Sequence, residues 1–259
     1  MMEDMQSRPD TRNIKIDQVG IRGIRYPITL LDKRNSTQHS IASINMYISL
    51  PEAFKGTHMS RFLEILNECH NDISHRKIVE MLKKIRERLS AKEAYIELFF
   101  PYFLEKSAPV SGQKSLMSYD CAVIAKSNKN TKIDIQVKVP VTTLCPCSKA
   151  ISDNGAHNQR GFITIRVSLD KFVWIEDLIR IAEQSASCSI WPLLKRPDEK
   201  YVTDKAYNNP MFVEDIVRDI AKSLSDDKRI SSFKIEVENM ESIHTHNAYA
   251  LIKKGELIS

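Results

Sequence analysis

Glycine is scarce in this chain of 259 residues, which contains only seven glycines. Neither of two common phosphate-binding patterns, G-x-x-x-x-G-K-[ST] and G-x-G-x-x-G, occurs in the sequence. This excludes a P-loop and the dinucleotide-binding turn of a Rossmann domain. If the protein binds a nucleotide, its side chains have to hold the phosphates.

Long apolar runs and strong charge of one sign are also missing. No stretch has the length or the flanking residues of a signal peptide or of a membrane span. The net charge of +5 is modest, and cations such as those of residues 81–89 fit a solvated helix face rather than a nucleic-acid-binding stripe. The five cysteines include no C-x-x-C pair. These features predict a cytoplasmic protein with reduced thiols that binds neither membranes nor nucleic acids.

The apolar periodicity predicts an α+β fold. Residues 40–50, 132–141 and 161–169 alternate between apolar and polar side chains, which is typical of half-buried strands. Apolar residues spaced at three and four predict helices after Thr57 as an N-cap, over 78–89, from Ile175, and from Val213 with Asn209 and Pro210 as cap and first turn. Residues 191–210 are expected to form a long loop. Antiparallel sheets with helices on one face fit this order.

The order of strand, two helices and further strands occurs twice, with a period near 100 residues. We therefore expect an N-terminal extended segment over 1–39, a first unit over 40–144 and a second unit over 145–259. The polar start of the chain is expected to fray or to lie across the surface. Open sheet edges also favour closure against further copies of the chain.

The stretch "LCPCSKAISDNGAHNQRGF" contains the first candidate site. Cys145 and Cys147 stand one residue apart, and the Asp-Asn-Gly turn at 153–155 is expected to bring His157 back towards them. A thiolate and an imidazole together suit a borderline-soft divalent metal ion. A reduced cysteine pair beside a turn, without any metal, is the alternative at this point.

Two histidines and two glutamates are further candidates. His244 and His246 lie in strand-like sequence, where both would project from one face, so they are either ligands or solvated edge histidines. Glu199 is either a ligand or a solvated loop charge, and Glu214 either binds a ligand or complements a helix dipole. An incomplete set of protein ligands leaves room for water, and a bound metal lowers the pKa of that water to about 7.

Five segments together resemble the type IB GTP cyclohydrolases, from about residue 12 to the C-terminus. They are "KGTHMSRF" (55–62), "CPCSKAISDNGAHNQRG" (145–161), "PDEK" (197–200), "FVEDIVRD" (212–219) and "IHTHNA" (243–248). The resemblance implies the tunnelling fold (T-fold). In that fold, tandem units of antiparallel sheet with paired helices on one face assemble into a homo-oligomeric barrel, here a homotetramer.

The resemblance also implies an activity. Members of this family hydrolyse GTP to 7,8-dihydroneopterin triphosphate and formate, the first step of pterin and tetrahydrofolate biosynthesis. The family's metal-site positions fall on Cys145, His157, Glu199 and His244, with Cys145 and His244 also catalytic. The guanine-anchoring carboxylate falls on Glu214. We expect a divalent metal, with Mn²⁺ favoured and Zn²⁺ or Fe²⁺ as alternatives.

The triphosphate would then meet cationic side chains, since no glycine-rich loop is present. The candidates are Arg160, Lys149, His58 and Arg61, and a helix-surface cation is the alternative for Arg61. The sequence assigns no role to Cys147 or His246. Two rival functions stay open, namely a same-family enzyme that yields dihydroneopterin cyclic phosphate and a non-catalytic, metal-stabilised interaction module.

Overall fold

The computed structural model describes residues 9–69 and 74–258. The start of the predicted N-terminal segment, before residue 9, lies outside the described residues. The strands are β1 Ile16–Asp32, β2 Ser36–Leu50, β3 Ala94–Ser107, β4 Lys114–Ser127, β5 Thr131–Leu144, β6 Asn158–Leu169, β7 Cys188–Ser189, β8 Ile230–Met240 and β9 Ala248–Lys254. The helices are α1 Met59–Cys69, α2 His75–Arg88, α3 Pro146–Ile151, α4 Ile175–Ser185, α5 Arg196–Asn208 and α6 Val213–Asp226.

The strands follow one continuous order, β1-β2-β3-β4-β5-β6-β8-β9, with the short β7 paired to β5. The pairs β1–β2, β2–β3, β5–β7, β6–β8 and β8–β9 are antiparallel. The predicted fold class, tandem tunnelling-fold units with paired helices assembled into a barrel, is wrong. The reason is that β4, β5 and β6 are successive neighbours, so the hydrogen bonding continues across the expected boundary at residue 144 and produces one open, mostly antiparallel sheet.

Contacts within the chain define two compact units. The first comprises the described residues up to 101, together with 122–134 and 258, and the second comprises 102–121 and 135–257. These units are defined by contacts within the chain, whereas the predicted boundaries rest on a repeated order of strands and helices. The boundaries 1–39, 40–144 and 145–259 therefore stay a prediction.

The core of the first unit lies between its strands and the helices α1 and α2. The five apolar residues of β2 that alternate from Ala42 to Leu50 are at most 4% exposed, as the sequence pattern predicts. Helix α1 buries one stripe of side chains and α2 another, and the two helices pack together. At about 25 cal/mol per Å² of buried apolar surface, such stripes rather than helix propensity stabilise these short helices.

The second unit has its own core. Ile163, Ile165 and Val167 of β6 are fully buried, and α6 buries its apolar stripe against β8 and β9. The expected start of this last helix is wrong by one short segment: Asn209 ends α5, and Phe212 is the N-cap of α6. None of the helices in the described part of the chain is long and apolar enough to cross a membrane.

Residues 191–210, expected to form a loop, contain the helix α5. The only side chains that α5 buries are those of Asp198 and Ala206, so the helix has no apolar stripe that sequence periodicity could detect. Pro197 in the first turn is compatible with a helix start, because its missing N–H would have no partner inside the helix. The helix is held by its polar ends instead.

Candidate active site

Cys145 occupies the junction between β5 and α3. The strand ends at Leu144, and Cys145 has the extended backbone of an N-cap, with φ −68° and ψ 117°. Pro146 fills the first helical position, where its fixed φ suits the turn. The Cys145 Sγ accepts a hydrogen bond from the N–H of Ser148 at 3.4 Å. The thiol is therefore half-buried and held by the helix that follows it.

His157 is tied to Cys145 through the main chain. The N–H of Cys145 donates to the carbonyl oxygen of His157 at 3.3 Å. The hydroxyl of Ser148 donates to the Cys145 carbonyl oxygen at 3.3 Å, and it accepts from the His157 N–H at 3.2 Å. The turn at 153–155 thus returns the chain to its starting point. Ser148 connects the two residues that the sequence predicts as metal ligands.

The segment after β8 reaches the same place. Nδ1 of His157 and Oγ of Ser242 are hydrogen-bonded at 3.1 Å. His244 follows two residues later, and its ring stacks on that of His246 with centroids 5.0 Å apart and planes at 18°. The imidazoles of His157 and His244 are therefore carried by adjoining segments.

Residues 241–247 are not a strand, contrary to the strand-like pattern of "ESIHTHNAYA". The last pair between β6 and β8 joins Arg160 to Met240, so the chain beyond Met240 leaves the ladder, and β9 begins only at Ala248. The expectation that His244 and His246 project from one face of a strand is wrong. They face one another as a stacked pair in an exposed connection.

Glu214 is brought towards the end of β5 by the segment that precedes its helix. The N–H of Met211 donates to the carbonyl oxygen of Leu144 at 3.2 Å, immediately before Cys145. Asp215 accepts from the Phe212 N–H at 3.1 Å and fixes the start of α6. Glu214 stands exposed in this first turn, where the positive end of the helix dipole favours an anionic side chain.

Glu199 stands on a rigid helix start. Its neighbour Asp198 is fully buried and accepts four hydrogen bonds of 2.6 to 2.8 Å, from the N–H groups of Val110, Ser111 and Lys195 and from the Ser111 hydroxyl. Burial alone would raise the pKa of Asp198, but these bonds outweigh it, so the pKa lies well below its usual range. The backbone of Glu199 is therefore fixed, while its side chain is exposed.

The donor types of Cys145 and His157 fit a divalent metal ion, since a thiolate and an imidazole are common ligands of zinc and iron. Within residues 9–69 and 74–258, however, no group of three or more His, Cys, Asp or Glu side chains is arranged to hold an ion. The structure thus brings together the main chains of two of the four predicted ligands. The ligand roles of all four, including Glu199 and His244, stay predictions.

His58 and Arg61 line one pocket in the first unit. Its volume is about 160 Å³, and its walls come from the end of β2, the start of α1 and the turn after α2. The Arg61 guanidinium donates to the carbonyl oxygen of Arg88 at 3.0 Å, so it is anchored at the rim. Two of the four predicted phosphate-binding residues are therefore placed at one cavity.

Lys149 and Arg160 lie in the second unit. The Lys149 ammonium donates to the carbonyl oxygen of Tyr207 at 2.5 Å and lies 4.3 Å from the centre of its ring. These contacts fasten α3 to the end of α5, so a phosphate would have to compete with them. Arg160 is exposed at the start of β6, opposite Met240.

The family model described as type I GTP cyclohydrolase FolE2 matches residues 2–250. The chain belongs to this family. A GTP cyclohydrolase FolE2 from Syntrophobacter fumaroxidans is 54% identical over 98% of this chain and 100% of its own. FolE2 proteins from Nitrosomonas eutropha and Thermosipho africanus are 56% and 53% identical, over 98% and 99% of this chain and 96% and 99% of their own.

Solved structures of urate oxidases have a similar fold. The uricase of Arthrobacter globiformis matches with a TM-score of 0.52 and 8% identity, over 92% of both chains. The urate oxidase of Bacillus subtilis 168 matches with a TM-score of 0.52 and 7% identity, over 92% of this chain and 98% of its own. At such low identity the likeness concerns the fold alone. It agrees with the single open sheet that is present instead of the expected tandem units.

Sequence reasoning missed three residues that organise the FolE2 candidate site: Ser148, Met211 and Ser242. Ser148 stands three residues after Cys145, a spacing at which N-cap contacts occur, so this signal was available. Met211 acts through its backbone N–H, which leaves no side-chain pattern to detect. Ser242 contacts His157 across 85 positions of sequence, and no local pattern announces such a contact.

Proposed function

We propose that this chain is a GTP cyclohydrolase that converts GTP and water to 7,8-dihydroneopterin triphosphate and formate, the first step of tetrahydrofolate biosynthesis. One observation carries the proposal: the Cys145–His157 connection lies at the end of β5 in a chain that matches the FolE2 family over residues 2–250. Relatives named GTP cyclohydrolase FolE2 support the same activity at 52–56% identity.

Cys145 and His157, completed by Glu199 and His244, would hold a divalent metal ion. Mn²⁺ is favoured from the family resemblance and suits the Glu199 carboxylate, whereas the thiolate and the imidazoles also suit the alternatives Zn²⁺ and Fe²⁺. When bound, the metal would supply a water molecule whose pKa is lowered, to about 7 in zinc sites, which makes a nucleophile more available at neutral pH. The half-buried position of Cys145 and His157 supports this role.

The chain's own residues would move the protons. Hydrolysis at C8 of guanine breaks two carbon–nitrogen bonds, and each departing ring nitrogen has to receive a proton. His244 or a neighbour would deliver these protons, and the neighbour is His246, whose exposed imidazole stacks on that of His244 and can serve when His244 binds the metal. The later rearrangement of the ribose and the ring closure need the same general acid–base assistance.

Glu214 would select guanine. A carboxylate accepts hydrogen bonds from N1–H and from the exocyclic amine of guanine at the same time, and adenine presents no such pair of donors. A site built for these donors rejects a base that lacks them, because its carboxylate would be left without partners. The exposed position of Glu214 in the first turn of α6, next to the segment bonded to Leu144, supports this assignment.

The triphosphate would bind through cationic side chains. The pocket that contains His58 and Arg61 supports these two residues, because the start of α1 at its wall also favours anions. Arg160 is the exposed candidate of the second unit, and Lys149 would have to leave the Tyr207 carbonyl to take part. Charge-assisted hydrogen bonds to phosphate oxygens would supply the affinity.

The proposal extends to assembly and location. β1 and β9 end the strand order, and such end strands favour pairing with further copies, in line with a homotetramer. The scarcity of disulfide signals in the sequence is compatible with the cytoplasm. Sedimentation velocity of the purified chain tests the assembly: a tetramer supports it, and a monomer at micromolar concentration contradicts it.

Mass spectrometry of the product tests the chemistry. A mass equal to dihydroneopterin triphosphate supports the proposal, whereas a dihydroneopterin cyclic phosphate identifies the rival reaction of the same family. Circular dichroism of chelator-treated protein tests the interaction module. That module would unfold without metal, whereas the enzyme is expected to stay folded because two apolar cores hold it.

A further inference from the structure

Two hydrogen bonds fix the main chain of His157, but they leave the orientation of its imidazole ring open. Its carbonyl oxygen accepts from the Cys145 N–H at 3.3 Å, and its N–H donates to Ser148 Oγ at 3.2 Å. These two bonds set the position of its Cα. The two side-chain torsions remain, and they decide which nitrogen of the imidazole points towards the Cys145 side. Among the described residues, the side-chain atom hydrogen-bonded to the ring is Oγ of Ser242, 3.1 Å from Nδ1.

The segment that carries Ser242 is anchored by buried side-chain hydrogen bonds between Asn239, Gln159 and Thr143. Asn239 is 3% exposed, and its Nδ2 donates to Oε1 of Gln159 at 3.5 Å. The hydroxyl of Thr143 donates to the same oxygen at 3.2 Å. Gly161 is paired with Asn239, and a Cβ at Gly161 would lie 2.6 Å from the Asn239 Oδ1, so only glycine leaves room for this amide.

These buried hydrogen bonds fix the point at which the strands β6 and β8 separate. Gln159 is two residues after His157, and Asn239 is three residues before Ser242. The last pair of the β6–β8 ladder joins Arg160, next to Gln159, to Met240, next to Asn239. Ser242 is therefore presented to His157 from an anchored strand end, although its own side chain is exposed.

We propose that Ser242 is a positioning residue for His157. Its Oγ accepts a hydrogen bond from the Nδ1–H group, which holds the neutral imidazole in the Nδ1–H tautomer and leaves the lone pair of Nε2 to bind a divalent metal ion. Histidines that bind metals commonly donate their other ring N–H to such a partner, and loss of the partner weakens metal affinity. This inference rests on the proposed function, because it assumes that His157 is a ligand.

Metal affinity of the full-length protein tests the proposal without any use of turnover. Mn²⁺ binding is measured by competition with a chromophoric chelator for the wild type, Ser242→Ala, Ser242→Thr and Ser223→Ala. Ser223 is the matched control, because its exposed hydroxyl donates to the Asp219 carbonyl oxygen on α6, away from the candidate site. We expect Ser242→Ala to weaken Mn²⁺ binding by about 10- to 100-fold. Ser242→Thr, which keeps the hydroxyl, and Ser223→Ala are expected to bind as the wild type does.

A second measurement reports on the ring itself. Long-range ¹H–¹⁵N spectra of metal-free protein, with the His157 signals assigned from His157→Gln, are expected to show the Nδ1–H tautomer in the wild type. Ser242→Ala is expected to shift the population towards Nε2–H, the form that prevails in free neutral histidine. Wild-type protein in the Nε2–H form would overturn the proposal.

The possible failures can be told apart. If the wild type binds Mn²⁺ and Ser242→Ala binds it equally well, the positioning role is wrong and the proposed function stands. If the wild type binds neither Mn²⁺ nor Zn²⁺ and converts no GTP, the proposed function falls and this inference falls with it. Weaker binding in Ser223→Ala to the same extent as in Ser242→Ala would also overturn the positioning role.

Discussion

The N–H of Cys145 donates a hydrogen bond to the carbonyl oxygen of His157 at 3.3 Å, across α3 and the turn that follows it. The main chains that carry a thiol and an imidazole are thereby fixed at one strand end before any ligand binds. Such advance placement removes part of the ordering cost of a site, which is how a protein holds reacting groups efficiently.

Cys145 and Cys147 are expected to differ sharply. Cys145→Ala removes the half-buried thiol and should lower kcat for GTP by more than about 100-fold, since the loss of a metal ligand exceeds the loss of its outer partner. Cys147→Ala, at the exposed second position of α3, is the matched control and should change kcat by less than about threefold. Pterin formation by both variants is measured at saturating GTP. A wild-type rate in Cys145→Ala would contradict the site.

Glu214→Gln is expected to weaken GTP binding. The carboxylate is replaced by an amide that cannot accept from both guanine donors, and the loss of charged hydrogen bonds amounts to about 1.5–3 kcal/mol, or roughly 10- to 100-fold in Kd. Asp219→Asn, on the exposed part of the same helix, is the control and should leave Kd unchanged. Titration calorimetry with GTP and ATP measures both variants. Unchanged GTP affinity in Glu214→Gln would show that another residue anchors guanine.

A buried ion pair should matter to stability. The Lys106 ammonium lies 2.6 Å from Oε1 of Glu183, which also accepts from the Tyr119 hydroxyl at 2.8 Å, and the two charged side chains are only 12% and 15% exposed. Lys106→Met leaves the Glu183 charge buried without its cation, which costs about 3–5 kcal/mol in the free energy of unfolding. Urea denaturation is the measurement.

Two further variants sharpen that experiment. Lys106→Met combined with Glu183→Gln removes the unpaired charge and keeps an acceptor for Tyr119, so it should recover more than half of the loss. Lys200→Met breaks a highly exposed pair with Asp204 and should cost no more than about 1 kcal/mol. Equal losses in Lys106→Met and Lys200→Met would contradict the role of burial.

Asp32 predicts a pH dependence of stability. Its carboxylate accepts from the N–H groups of Arg34 and Asn35 at 2.8 and 2.7 Å and from Gln38 at 3.0 Å. Burial raises the pKa of Asp32, but these bonds outweigh it and the net pKa is lowered in the folded protein. Because the folded pKa is below the unfolded value of about 3.9, the stabilisation is complete above that pH and is lost as the pH falls further.

The measurement compares the wild type with Asp32→Asn by urea denaturation at about pH 7, pH 5 and pH 3.5. The difference in the free energy of unfolding should be the same at the two higher pH values and smaller at the lowest. Asp17→Asn, on a highly exposed carboxylate, is the control. A difference that grows on acidification would mean that Asp32 does not stabilise the fold as an anion.

Local patterns predicted those parts of the fold that bury an apolar face. The alternation in β2 and the apolar stripe of α6 are both visible in the sequence and both present in the structure. The sequence pattern did not reveal β1 as a strand, because register shifts at Ile16/Val19 and at Ile21/Ile24 interrupt its alternation. Gly23, with its left-handed backbone, lies inside the second shift. α5 escaped because Asp198, a polar residue, is what its first turn buries.

The candidate site divides in the same way. Cys145 and His157 meet through a local turn, so the sequence could bring them together. The contact of His157 with Ser242 depends on the pairing of β6 with β8, which no single segment encodes. The single open sheet likewise depends on which strands become neighbours, and a repeated order of elements did not reveal this.

Formation of a pterin from GTP is the most direct test of the central claim. Purified protein is incubated with GTP and Mn²⁺, with and without excess chelator, and the product is oxidised and followed by its fluorescence. We predict a fluorescent pterin and one formate per GTP consumed, both abolished by the chelator and restored by added metal. GTP that stays intact with every divalent metal tested, in protein that is folded, would contradict the account.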